Sequence, residues 1–256
     1  MQRKIRVGAV SYLNTKPLVY GFDHGMMAES IELKIDFPSK IASMLLSDEI
    51  DVGLVPVAII PEMKEYYIIS DYCIGSRGEV ASVCLFSEAP LDKIERILLD
   101  YQSRTSVELL KILIKNYWHI DPVFEDTSGN YQSRISGTTA ALVIGDRALE
   151  QRKQSSYIYD LGAEWEKYTG LPFVFAAWVS NKKLDEDFIA AFNKANLAGL
   201  SNIDDVVEEN LYPVFNLKDY YTKYISYNLD ESKKEGLALF LKKLKAASFA
   251  NIVDVV

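Results

Sequence analysis

Residues 11–15 of this 256-residue chain read Ser11-Tyr12-Leu13-Asn14-Thr15, hydroxyls and one amide set between the apolar run Ile5–Val10 and Pro17. Proline suits the first turn of a helix, so the cluster falls at a strand-loop-helix junction. Side-chain donors there join free helix amides whose partial positive charge favours anions. The junction can therefore hold a carboxylate, or Asn14 or Thr15 can simply cap the helix. Ser103-Arg104-Thr105-Ser106 repeats the device ahead of a long helical segment. Capping uses one hydroxyl; three hydroxyl residues and an arginine in four positions also suit an oxyanion cradle, and both readings stand. Ala141-Leu142-Val143-Ile144-Gly145-Asp146 is a buried strand ending in a glycine that lets backbone approach a ligand closely, with Asp146 placed as N-cap of the next helix. Arg77, in Gly75-Ser76-Arg77-Gly78, either overhangs a ligand or is solvated. Trp165, Thr169–Phe173 and Trp178 are packing groups or an aromatic wall for a flat ring.

Other chemistries lack their residues. His24 and His119 are the only histidines, and neither has a partner at metal-ligand spacing, so no metal or other cofactor is expected. GxGxxG after a strand, GxxxxGK[ST], GxSxG and HExxH are all missing. A net charge of −8 opposes a broad phosphate-backbone footprint or a polybasic membrane surface. The tyrosine-rich C-terminal segment (Tyr212, Tyr220, Tyr221, Tyr224, Tyr227) has only Lys218 and Lys223 among its aromatics and no basic run, so it reads as helix packing rather than a nucleic-acid platform. After Met-Gln-Arg-Lys the sequence enters an apolar strand with no leader-type apolar region, and the expected compartment is the cytoplasm. Cys73 and Cys84 then read as buried thiols.

These segments need a scaffold. At roughly 150 residues per domain the length suits one large domain or two small lobes. Short apolar strands alternate with amphipathic helices, which defines an α/β protein with mainly parallel sheets. Strands are expected at 4–10, 32–37, 52–55, 67–70, 80–86, 96–100, 123–125, 141–144, 157–160 and 173–179. Helices are expected to begin near Pro17, Ser39, Pro56, Ser103, Asp146, Ala163 and Asp185. From Asp185 to Lys245 the strand signal disappears. A two-lobed arrangement accounts for this: residues 1–87 with 177–256 form the first lobe, 88–176 form an inserted second, and a ligand cleft lies between them.

In this order the segments from Val7 to Leu18, Asp51-Val52-Gly53-Leu54-Val55-Pro56, Ser103–Ser106, Ala141–Leu149 and Trp165 through Thr169–Ala176 resemble chorismate dehydratase of the futalosine route to menaquinone. The resemblance covers about residues 4 to 180; its SYLNT-x-PL and TGLPFVFA segments are specific. It implies a type II periplasmic-binding-protein-like fold and a lyase that converts chorismate to 3-[(1-carboxyvinyl)oxy]benzoate and water. Carried over by position, Asn14 is the catalytic candidate, orienting the leaving hydroxyl or a carboxylate. Ser82 is a carboxylate donor by the same resemblance, or else a buried strand serine. Ser11, Tyr12, Ser103, Thr105, Ser106, Ile144, Gly145 and Asp146 complete the expected substrate contacts. No residue is identifiable as general base, and the family's proposed base is the substrate's own enolpyruvyl carboxylate. Two alternatives share the fold: a protein that binds or senses a small carboxylate without altering it, and the sister enzyme that forms 1,4-dihydroxy-6-naphthoate. The sister typically opens with a Ser-Pro-Cys-Pro-Asn-Asp segment, from which Ser11-Tyr12-Leu13-Asn14 departs.

Overall fold

A computed structural model of the chain describes the backbone of residues 3–253 and the side chains of residues 3–246. In chain order the first elements are β1 (Ile5–Val10), α1 (Lys16–Asp23), β2 (Ile31–Asp36), α2 (Pro38–Leu46), β3 (Val52–Pro56), β4 (Tyr67–Ser76), β5 (Val83–Ser87) and β6 (Arg96–Leu99). Then come α3 (Thr105–Leu113), β7 (Val123–Asp126), β8 (Thr139–Ile144), α4 (Asp146–Gln151), β9 (Tyr157–Asp160), α5 (Leu161–Thr169) and β10 (Phe173–Ser180). The last are α6 (Glu186–Leu200), α7 (Ile203–Glu209), α8 (Leu217–Asp219), β11 (Ser226–Asn228) and α9 (Glu231–Val253).

Two compact units result. Unit 1 comprises Met1–Gly75 and Phe175–Leu229; unit 2 comprises Ser76–Val174 and Asp230–Val256. Unit 1 holds a sheet of order β11-β4-β10-β3-β1-β2, and unit 2 one of order β7-β6-β8-β5-β9. In unit 1, β1 runs parallel to β2 and β3, so their carboxyl ends share one edge. Every residue of β3 is buried, as expected of a strand covered on both faces. Behind the loop after β1, α1 crosses α6 at very short range. A Cβ on Gly21 would lie 2.3 Å from the Ala195 carbonyl oxygen, and one on Gly199 would lie 2.1 Å from that of Pro17.

In unit 2, β6 is parallel to β7 and β8, whereas β5 is antiparallel to β8 and β9. Val83 pairs with Ile144 and Cys84 with Asp160. The start of β5 and the ends of β6, β8 and β9 therefore lie along the same sheet edge. This topology alone brings Ser82, the 100–106 loop and the 144–146 loop to one side of unit 2.

Several expectations need correction. The strand expected at 80–86 starts at Val83, because Ala81 takes a left-handed φ of 62° that no ladder accommodates. The strand expected at 67–70 extends to Ser76. The helix expected from Pro56 is a short 3-10 segment, Val57–Glu62, with Pro61 inside it. The C-terminal region is not wholly helical: β11 adds to the edge of the first sheet, too short for its alternation to register in the sequence. The division of the chain also differs. Residues 76–87 belong to unit 2 because β5 is an inner strand of its sheet, and the chain enters unit 2 again after Leu229. There Phe240 of α9 packs edge-on against Trp165 and Phe173, with ring centroids 6.2 and 5.1 Å away.

Candidate active site

In unit 1, Ser11 to Thr15 follow β1 at its carboxyl end. The Ser11 amide donates to the Asp36 carbonyl at 3.0 Å, and Leu13–Thr15 wind into a 3-10 turn that leads into α1. No side chain caps α1, so the purely structural role open to Asn14 and Thr15 has no bond behind it. The Asn14 side chain is half-buried and meets the Thr15 hydroxyl at 3.4 Å through Oδ1, its one side-chain hydrogen bond among the described residues. Its backbone is held instead: the buried Tyr227 hydroxyl donates to the Asn14 carbonyl at 2.9 Å. Burial pushes the Tyr227 phenol well above its ordinary pKa, which keeps it a donor. Tyr227 lies on β11, not on a packing helix, and only the sheet pairing brings it to Asn14.

In unit 2 the candidates occupy three loops, each held by one of two buried carboxylates, Asp160 and Asp100. Ser82 is fully buried; its Oγ lies 3.4 Å from the Val80 carbonyl, and its own carbonyl accepts the Gly145 amide at 2.8 Å. The left-handed Ala81 beside it costs about 1 kcal/mol and is held in place by Asp160. That carboxylate accepts the amides of Val80 (3.0 Å), Ala81 (2.8 Å), Gly162 (3.0 Å) and Ala163 (3.2 Å). Burial pushes the Asp160 carboxyl up, while these amides and Arg152 offset part of the rise. Cys84 lies in the same cluster, 3.6 Å from Asp160 Oδ2. Burial and that neighbouring charge push its thiol well up, so it is not a nucleophile.

The second loop carries Ser103, Thr105 and Ser106. Ser103 Oγ accepts the Ser106 amide at 3.1 Å, which ties the loop to the first turn of α3, and Thr105 and Ser106 are buried on that turn. In the third loop Gly145, with φ 65° and ψ −148°, is the N-cap of α4. Asp146 is the first helical residue rather than the cap, because only glycine takes that backbone angle pair readily. The chain makes its turn at Gly145, which leaves Ile144 as the last strand residue and Asp146 half-buried just beyond.

Asp100 joins the second and third loops. Wholly buried, it accepts the Gln102 amide at 2.9 Å, the Ile144 amide at 3.2 Å, the Tyr131 hydroxyl at 2.6 Å and Arg147 Nη2 at 2.9 Å. Asp100, Arg147, Tyr131, Asp160 and Tyr227 were not singled out as site residues from the sequence. The one hint of them was that Asp100 and Asp160 each end a strand just before a helical segment.

Other candidates lie away from these loops. Arg77 pairs with Asp230 at 2.8 Å on the surface of unit 2. The aromatic wall is not found: Trp165 is buried against Phe173 and Phe240, and Trp178 is buried in unit 1, its indole donating to Asn196 at 2.8 Å. Cys73 and Cys84 are both buried thiols outside any disulfide. Among the described residues no group of three or more His, Cys, Asp and Glu side chains is placed to hold a metal ion, and no helix is long and apolar enough to cross a membrane.

Paired α/β units with parallel central strands and polar loops at the sheet edges define a periplasmic-binding-protein-like fold. The chain superimposes on a crystal structure of an Archaeoglobus fulgidus protein with a TM-score of 0.74, at 16% identity over 96% of this chain and 98% of that one. It matches the periplasmic aliphatic sulphonate binding protein SsuA of Escherichia coli with a TM-score of 0.62, at 14% identity over 99% and 94%. Within that fold class, the chain belongs to the menaquinone biosynthesis family, whose pattern it matches over residues 5–246. Among curated relatives it is 27% identical to a chorismate dehydratase of Thermus thermophilus, across 93% of this chain and 94% of that protein. It is 25% identical to one from Campylobacter jejuni, across 95% and 99%.

Proposed function

We propose that this protein is a chorismate dehydratase, a lyase that removes water from chorismate to leave 3-[(1-carboxyvinyl)oxy]benzoate. The observation that carries the reading is the end-to-end similarity to curated chorismate dehydratases, joined to polar loops suited to a dicarboxylate. In the reaction a ring C–H bond breaks and its electron pair becomes a ring double bond. The neighbouring C–O bond breaks, and hydroxide and proton leave as water. Aromatisation supplies much of the driving force, so the protein's task is to hold the dianion in one pose and stabilise the departing hydroxide.

The Asn14 amide, free of capping duty, is assigned to the leaving hydroxyl. Ser82 and the hydroxyls of Thr105 and Ser106 are assigned to the substrate carboxylates, with Ser11 and Tyr12 beside Asn14. Ile144, Gly145 and Asp146 are assigned to the ring and its orientation. Ser103 serves through its bond to the Ser106 amide, holding the first turn of α3. The substrate's enolpyruvyl carboxylate takes the ring proton, which suits loops without a histidine: His24 closes α1 and His119 follows α3. The proposal includes neither nucleic acid nor membrane as partner and keeps the cytoplasm as the compartment.

The test is purified protein with chorismate, followed by absorbance and by mass for the loss of one water. Formation of the aromatic enol ether is expected. Chorismate recovered unchanged, with and without divalent metal, overturns the reading. The likeness to a sulphonate-binding protein makes binding without turnover the specific competing outcome, read by calorimetry. Offering the sister enzyme's cyclic futalosine substrate separates the remaining alternative.

A further inference from the structure

We propose that Asp100 is a positioning residue: with Arg147 it sets the 100–106 and 144–147 loops of unit 2 in the geometry that binds the substrate, the first at a carboxylate and the second at the ring. The inference rests on the dehydratase reading and extends it to a residue that does not touch substrate. Asp100 follows β6, and its side chain is 0% exposed. Every partner donates to it: the Gln102 amide, the Ile144 amide, the Tyr131 hydroxyl and Arg147 Nη2, at 2.6–3.2 Å. Its backbone carbonyl also accepts the Ser103 amide at 3.3 Å. One carboxylate thus fixes the end of β6, the turn before α3, the end of β8 and the first turn of α4.

The chemistry demands a carboxylate. Two oxygens with about four acceptor positions serve four donors, whereas an asparagine amide offers one oxygen and turns an NH2 toward groups that are themselves donors. Arg147 closes the arrangement. Its Nη2 also meets Gln102 Oε1 at 2.9 Å, and its guanidinium lies over Tyr101 and Tyr131, 5.3 and 5.9 Å from the ring centres. Asp100 itself binds no ligand directly, because its carboxylate is 0% exposed and faces protein donors. Its effect passes through the hydroxyls and amides of the two loops.

Those loop donors meet carboxylates present alike in the ground and transition states, so loosening them removes uniform binding, which raises KM more than it lowers kcat. For Asp100→Asn we expect KM and the calorimetric Kd for chorismate to rise about 10–100-fold, with kcat within about threefold of the parent. Tyr131→Phe, which removes a hydroxyl that Asp100 shares with the Leu142 carbonyl (2.7 Å) and leaves the other donors, is expected to shift KM the same way by about three- to tenfold. Asp51→Asn, in a separate ion network of unit 1, is the stability control and should lower the melting temperature with KM unchanged. Parental KM and Kd in folded Asp100→Asn overturn the proposal, as does a fall in kcat at parental KM. If Asp100→Asn does not fold, Tyr131→Phe with parental KM overturns it. Parent protein that binds chorismate without consuming it ends the dehydratase reading alone, since the Kd values of the variants still decide this one. Parent protein that does not bind chorismate overturns both.

Discussion

Asn14 and Ser103 show how the same residue class divides between structure and chemistry. Both sit in polar loops between a strand and a helix, but the Ser103 hydroxyl accepts an α3 amide while the Asn14 side chain caps nothing. A side chain held by its backbone, with its amide left for another partner, is what orientation of a departing hydroxide requires. Asn14→Ala should therefore lower kcat by about 100-fold, the scale of removing one oxyanion donor. Its stability should change by less than about 1 kcal/mol. Turnover and melting measured on the same preparation check this, and a parallel loss of both would return Asn14 to a structural role.

At the scale of elements, the position of the Asn14 loop depends on α1, and α1 is seated by its near-contact with α6. Backbone approaches this close exclude any Cβ. Gly199→Ala places a methyl against the Pro17 carbonyl, 2.1 Å away before relaxation, so the two helices must separate. The expected cost is about 2–3 kcal/mol, the range for overpacking a tight interface, and denaturant titration measures it. In unit 2 the corresponding constraint is polar: Asp160 binds two amides ahead of β5 and two in the first turn of α5. The strand-loop-helix junctions were legible in the sequence because proline, glycine and clustered hydroxyls act within a few residues. Strand β11 was not, because three residues carry no periodicity and its pairing with β4 is a long-range event.

For the whole molecule, the charge of −8 conceals a local balance. Asp51, buried beside β1, accepts Arg6 Nη2 at 2.8 Å and Lys182 Nζ at 2.9 Å. Burial works to raise its carboxyl pKa, but hydrogen bonds from the Arg6 side chain and amide and from Lys182 outweigh it and hold the group well below the usual carboxylate range. A depressed folded pKa means that this stabilisation is fully present above the unfolded value near 4 and is lost as pH falls through the folded one. Asp51→Asn should cost about 2 kcal/mol at neutral pH, since it takes the ionised acceptor from the Arg6 side chain and amide and from Lys182. That corresponds to about 4–8 °C in melting temperature. The gap between parent and variant should narrow as the pH is lowered below about 4, where Asp51 of the unfolded parent takes up a proton that the folded carboxylate does not. Melting curves between neutral pH and pH 3 check it; a constant gap would remove Asp51 from the account.

Residue type and spacing set the local features. The apolar runs of β1 and β8, the proline opening α1, the hydroxyls ahead of α3 and the glycine closing β8 each act on their nearest neighbours, and the loops they build are where the reading placed them. Tertiary structure decided which distant groups hold those loops. Tyr227 reaches Asn14 across 213 residues of chain, Asp160 reaches Val80 across 80, and Asp100 reaches Arg147 across 47. It also decided that Gly145 rather than Asp146 caps α4, and that α9 packs in unit 2. The physical reason is that a buried carboxylate or phenol is stable only where folding has already gathered its donors or acceptors. Residue type and spacing fix no such partner, so these residues become visible as part of the site only once both sheets have formed.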